Sequence, residues 1–199
     1  MREAIKKKVS GYILAGGKSS RMGTDKGLLD FKGKMIIEQI IEQVRPAVND
    51  LVIVSNNEVY RKFGLTVIPD IIKDIGPAGG IFTALTHSDS EQNFILGCDM
   101  PFVNTAAIQF VIDHAVQAQV VIPVRDGKME PLFGVYSKSC LLQWHELIQQ
   151  GFLKLQELVK QLNLLQIDTN DNPLFNYPLF VNINTPEEFK NALINTNLR

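Results

Sequence analysis

The 199-residue chain is poor in the residues that staple small folds or hold zinc: 2 Cys, 3 His and 1 Trp. Cys98 and Cys140 stand far apart, with no CxxC and no nearby histidine pair, which excludes a disulfide framework and a zinc ribbon. Two thiols of this kind suit a reducing compartment, so the chain is read as cytoplasmic. Neither sign of charge is in excess, since 20 Lys+Arg face 21 Asp+Glu for a net −1. Without a bulk positive field, neither nucleic acid nor an anionic membrane is an expected partner. Long hydrophobic runs are missing as well. Val9–Ala15 is only seven residues long and leads into polar, glycine-rich sequence, so it is read as a strand after a basic tail, residues 1–8. A membrane span would need about 20 apolar residues.

What is present has globular proportions, with 45% apolar and 21% charged residues. Short, β-branched apolar runs recur at Ser10–Ala15, Leu51–Val54, Thr66–Ile68, Phe94–Leu96 and Gln119–Pro123. Such runs suit strands buried on both faces. Between them, Ile37, Ile40, Ile41 and Val44 repeat at helical spacing, as do Ile108, Val111, Ile112 and Ala115. Thr185-Pro186-Glu187-Glu188 predicts a capped last helix. Further on, Pro131–Tyr136, Leu164–Asp168 and Leu179–Ile183 are expected strands, and Ser139–Gln150 and Phe152–Leu162 expected helices. Alternating strand and helix predicts a three-layer, Rossmann-like α/β fold with a mostly parallel mixed sheet.

The most informative segment follows the first strand: Leu14-Ala15-Gly16-Gly17-Lys18-Ser19-Ser20-Arg21-Met22-Gly23-Thr24-Asp25-Lys26. Ligands of open α/β sheets bind beyond the carboxyl ends of the strands. Adjacent glycines let backbone amides converge on an anion, and Lys18, Arg21 and Lys26 supply cations. A triphosphate needs that combination. The string is neither a Walker A loop, whose spacing it misses by one residue, nor GxGxxG. Asp99 follows the strand Phe94–Gly97, at the same sheet edge as the glycine loop, and a hard carboxylate there suits Mg²⁺. Asp70 follows Thr66–Pro69, where an acceptor could meet the N1–H and N2–H₂ donors of guanine. Gly76–Gly80 leads into a helix whose first amides could meet phosphate, ribose or base. Asn182 and Asn184 flank Ile183 and so share a face. The His145-Glu146 pair lacks the second histidine of a zinc protease helix, and Asp168–Asp171 lacks the glycine and distal glutamate of a calcium loop.

Taken in order, Leu14–Lys26, Leu28–Lys34, Ile68-Pro69-Asp70, Gly76–Ile81, Gly97–Pro101 and Val181–Glu188 resemble the molybdenum cofactor guanylyltransferases along nearly the whole chain. These lie within the sugar-nucleotide-type nucleotidyltransferases. The resemblance implies one nucleotidyltransferase domain, residues 1–199, with a nucleotide-binding half, 9–100, and an acceptor-binding half, 101–199. It implies GMP transfer from GTP to molybdopterin with release of pyrophosphate, and Mg²⁺ as cofactor. Transient contact with molybdenum-insertion or molybdoenzyme maturation proteins goes with that role. Arg21, Lys26 and Asp99 are the implied catalytic residues, with Asp99 holding the metal. GTP is expected to meet Leu14, Ala15, Gly16, Gly17, Arg21, Lys26, Asn56, Asp70, Gly79 and Asp99, and the acceptor Asn182 and Asn184. Gly151–Leu155 is more apolar than the basic segment the resemblance leads one to expect. The acceptor's cations are therefore sought among Arg125, Lys128 and Lys154. A cytidylyl- or sugar-phosphate nucleotidyltransferase, or a GTP-binding regulator without turnover, remains open on the sequence.

Overall fold

A computed structural model of the chain describes residues 8–16, 25–115 and 118–195. Its elements in chain order are β1 (Val9–Leu14), β2 (Asp30–Phe31), β3 (Lys34–Met35), α1 (Ile36–Val44), β4 (Asp50–Val54), β5 (Thr66–Ile68), α2 (Pro77–His87), β6 (Gln92–Gly97) and α3 (Thr105–Asp113). They continue with β7 (Val120–Arg125), β8 (Lys128–Met129), β9 (Phe133–Ser137), α4 (Leu141–Gln149), α5 (Leu155–Leu158), β10 (Leu164–Asp168) and α6 (Pro186–Asn195). Eight strands form one sheet in the order β10-β7-β9-β6-β1-β4-β5, with β8 paired to β7. The β1/β4, β1/β6, β4/β5 and β7/β10 pairs are parallel, and β9 runs antiparallel between β6 and β7. The expected three-layer, mostly parallel mixed sheet is therefore found.

Period-two alternation sends successive residues of each strand to opposite helical layers. Ile13, Ile53, Phe94, Leu96 and Val121 pack with the buried stripes of α1 and α3. Tyr12, Val52, Ile95 and Val120 pack on the other face with Ala78, Ile81 and Leu85 of α2 and Trp144 of α4. Helix ends follow their local chemistry. Asn104 accepts from Ala107 N at 2.8 Å to cap α3. Thr185 Oγ1 accepts from Glu188 N while Glu188 Oε2 accepts from Thr185 N, the reciprocal cap expected for α6.

Two expectations need correction. Leu179–Ile183 is not a strand: Leu179 N donates to Asn176 O, Val181 N to Pro178 O and Ile183 N to Asp99 O, so its amides close turns and a bridge to the β6 end rather than a ladder. Its apolar residues pack as plugs instead, with Phe180 edge-on to Phe133 at 5.5 Å between ring centroids. The expected helix Phe152–Leu162 is reduced to α5 and one 3₁₀ turn, Val159–Gln161.

From β1 the chain moves one way in the sheet to β4 and β5, then returns through α2 to β6 on the other side of β1. Strand order thus reverses at β1. In open α/β sheets a crevice opens beyond the carboxyl ends of the strands at such a point.

Candidate active site

A cleft of about 740 Å³ occupies that crevice, walled by the strand ends at Leu14, Val54 and Gly97 and the residues that follow each. Of the expected nucleotide contacts, Leu14, Ala15, Gly16, Lys26, Asn56, Asp70 and Asp99 line it. Gly17 and Arg21 lie outside the described residues. Gly16 leaves β1 at φ +121°, which a side chain would strain, and a Cβ there would press within 3.3 Å of Ser55 Oγ. Gly79 is not on the cleft wall. A Cβ on it would sit 2.7 Å from Ile72 O, so its role is to let α2 pack on the preceding loop, while its neighbour Gly80 lines the wall.

Lys26 begins a 3₁₀ turn, Lys26–Leu28, whose cap is the Asp25 carboxylate. Its ammonium donates to Asn184 Oδ1 at 2.5 Å and lies 3.8 Å from Asp99 Oδ2. Asp99 follows the end of β6, and its carbonyl accepts from Ile183 N at 2.9 Å, which ties the Asn182–Asn184 segment to the site. Burial raises the Asp99 carboxyl above the ordinary carboxylate range, and the neighbouring Lys26 ammonium opposes that rise. Asp99 Oδ1 and Asn182 Oδ1 are buried and have no hydrogen-bond partner among the described residues. An orphaned oxygen is costly unless a ligand meets it. The Asp99 oxygen, on the cleft wall, suits a cation that takes few protein ligands and completes its shell with water and phosphate, as Mg²⁺ does, whereas Asn182 does not line the cleft. Among the described residues no group of three or more His, Cys, Asp or Glu side chains assembles, so a richer all-protein cage is not formed there.

At the other end of the cleft, Asn56 and Asp70 form a reciprocal pair. Asn56 Nδ2 donates to Asp70 Oδ2 at 2.8 Å, and Asp70 N donates to Asn56 Oδ1 at 3.1 Å. Burial raises the Asp70 carboxyl, with the Asn56 bond opposing. The pair fixes the Asp70 carboxylate on the cleft wall.

The residues expected on the acceptor side have the following partners. Asn184 reaches the site but holds Lys26 rather than the cleft wall. Arg125 donates to the Phe175 carbonyl, and Lys154 is 81% exposed and paired with Glu157. Sequence reasoning also missed Asp25, Asn57 and Leu132 on the cleft wall, and Glu130 beside it. Asp25 and Asn57 stood beside residues already singled out, but Glu130 carried no signal beyond one acid inside an apolar run.

Glu130 lies between β8 and β9 and is pushed up to about 7, first by burial and then by the Asp99 carboxylate, with Lys128 opposing. Its folded-state pKa exceeds its ordinary 4.5, so the folded chain holds the proton longer than the unfolded one and stability falls as pH rises from about 4.5 to about 7. Glu130→Gln should therefore match wild type in Tm near pH 4.5 in metal-free buffer and exceed it by a gap that widens to about pH 7 and then stays constant. A Tm gap independent of pH would contradict this.

Residues 11–165 match the family described as MobA-like NTP transferase domain. A Flavobacterium johnsoniae protein named "Probable molybdenum cofactor guanylyltransferase" is 36% identical over 187 residues, covering 92% of this chain and 96% of its own. The molybdenum cofactor guanylyltransferase of Vibrio campbellii is 35% identical, over 90% of this chain and 92% of its own. The crystal structure of molybdopterin-guanine dinucleotide biosynthesis protein A from Archaeoglobus fulgidus matches with a TM-score of 0.81 at 27% identity, over 96% of this chain and 100% of that one. With its cleft, its ordered motifs and these relatives in agreement, the chain belongs to the molybdenum cofactor guanylyltransferases of the MobA-like NTP transferase family and is a nucleotidyltransferase.

Proposed function

We propose that the chain transfers GMP from GTP to the terminal phosphate of molybdopterin, or of its molybdenum-bound form, and releases pyrophosphate. The observation that carries this reading is the meeting of Lys26, Asn184 and Asp99 at the switch point, one cation and one carboxylate with an unpartnered oxygen on the same cleft. An oxygen of the acceptor phosphate bonds to the α-phosphorus as the bond to the bridging oxygen breaks, and pyrophosphate takes that electron pair. The nucleophile is already anionic, so no strong base is needed. The barrier is electrostatic, two anions approaching while negative charge builds on a leaving group.

Lys26, with Arg21 and the amides of Gly16 and Gly17, meets the β- and γ-phosphates in this reading. Asp99 would hold Mg²⁺, which when bound neutralises phosphate charge and polarises the α-phosphoryl group. Asp70, held by Asn56, accepts from the N1–H and N2–H₂ of guanine. Residues 9–100 thus bind the nucleotide, and 101–199 contribute the acceptor side. Both cysteines are free and buried, which suits a cytoplasmic enzyme, and no helix of the described residues is long and apolar enough to cross a membrane.

A thermal shift with GTP, CTP, UTP and ATP, each with and without Mg²⁺, tests the reading. GTP at 100 times its Kd should stabilise by about 2.7 kcal/mol, more with Mg²⁺, and the others little. A shift with CTP or UTP in place of GTP would move the substrate and overturn guanine selection. A GTP shift without pyrophosphate release in the presence of molybdopterin would overturn turnover.

A further inference from the structure

Asp25 joins two segments that are separate in the chain, the turn it caps and residues 57–60. Its Oδ1 caps the turn that begins at Lys26, accepting from Gly27 N at 3.3 Å. The same oxygen accepts the Tyr60 hydroxyl proton at 2.5 Å, and Oδ2 lies 3.4 Å from Asn57 Nδ2. Tyr60 sits in the 3₁₀ segment Glu58–Phe63 that follows β4, and it is fully buried. It also bears on the turn directly, since a Cβ at Gly27 would lie 2.5 Å from the Tyr60 oxygen. One hydroxyl therefore holds the residue before Lys26 and leaves no room for a side chain on the residue after it. The lysine side chain reaches the other way, to Asn184 and towards Asp99.

Packing alone explains the ring of Tyr60, and a phenylalanine would fill the same space. It does not explain the hydroxyl. A neutral O–H given to a carboxylate is among the stronger hydrogen bonds, and here it also ties up an anion next to the expected triphosphate site. Burial, reinforced by the neighbouring Cys98 and Asp25, pushes the phenol up, so it remains a donor. Tyr60 does not line the cleft, so any effect it has on the reaction passes through Asp25 and the Lys26 turn.

We infer that Tyr60 is a positioning residue of the transfer reaction: its hydroxyl bond to Asp25 sets the backbone from which Lys26 reaches the phosphates. The inference rests on the reading that Lys26 meets the triphosphate. Displacing a charge that acts mainly in the transition state lowers kcat and leaves substrate binding nearly intact.

The test is a double-mutant cycle read by pyrophosphate release from GTP and molybdopterin with Mg²⁺, alongside Tm. Tyr60→Phe should lower kcat about tenfold, with KM for GTP within about twofold of wild type. In a Lys26→Ala background the same substitution should cost little further kcat, because the group it positions is gone. Equal kcat losses in both backgrounds, or no loss in the single variant, would overturn the inference. Should Tyr60→Phe lose its fold, Asp25→Ala removes the bond from its other end, and it too should be non-additive with Lys26→Ala. Additive losses in that second cycle would overturn the inference as well. An active Lys26→Ala would instead sink the underlying reading of the lysine, so the two failures are distinguishable.

Discussion

Lys26→Ala lowers the rate of pyrophosphate release by roughly 10²–10³, or about 2.7–4 kcal/mol, by analogy with the loss of one preorganised donor to a developing oxyanion. The size of the effect follows from preorganisation. The ammonium is already held by Asn184 at 2.5 Å and stands 3.8 Å from Asp99, so little reorganisation is needed when charge builds on the leaving group. Stability should change less than rate, because the lysine is half-buried and removing it relieves one desolvated charge while leaving Asp99 without its cation. Single-turnover rates with GTP and molybdopterin, with Tm in parallel, check both. A rate within about threefold of wild type, under about 0.7 kcal/mol, would remove Lys26 from the phosphate site.

Asp99→Asn has a comparable or larger effect on turnover, on the order of 10³-fold, because it weakens the candidate metal site at its charged ligand. A second readout separates metal binding from folding. Burial raises the Asp99 carboxyl above its ordinary value, so the folded state binds the proton more tightly than the unfolded state and the charged form costs stability as pH rises. The variant should thus be at least as heat-stable as wild type at neutral pH without metal. Mg²⁺ with GTP should raise Tm for wild type and hardly at all for Asp99→Asn. Equal metal-dependent shifts in the two proteins would show that the cation is held elsewhere.

Much of the site could be read residue by residue before folding. Gly16, Asp70 and Asp99 each stand just after an apolar strand run, Lys26 closes the polar loop that follows the first of these runs, and a strand end in an alternating α/β chain is a position with known meaning. The cap of α6 was equally legible, since its partners are three residues apart. Leu179–Ile183 was misread because a short apolar run has the same appearance as a strand or as a plug, and only its amide partners tell them apart. The Gly-rich helix entry likewise does not say which of its glycines lines the cleft, and the fold puts Gly80 on its wall.

The sequence by itself determined the alternation of strands and helices, the glycine-rich turn after β1 and the carboxylate after β6. Periodicity, capping and turn chemistry act over a few residues and leave a local trace. Tertiary structure alone decided what each of these groups meets. Lys26 finds Asn184 158 positions away, and Asp25 finds Tyr60 35 positions away. Those meetings follow from strand order and helix packing, which set distances between segments that no local pattern encodes. For the same reason the unpartnered oxygen of Asp99 appears only in the fold, since an absent partner is a property of everything packed around it.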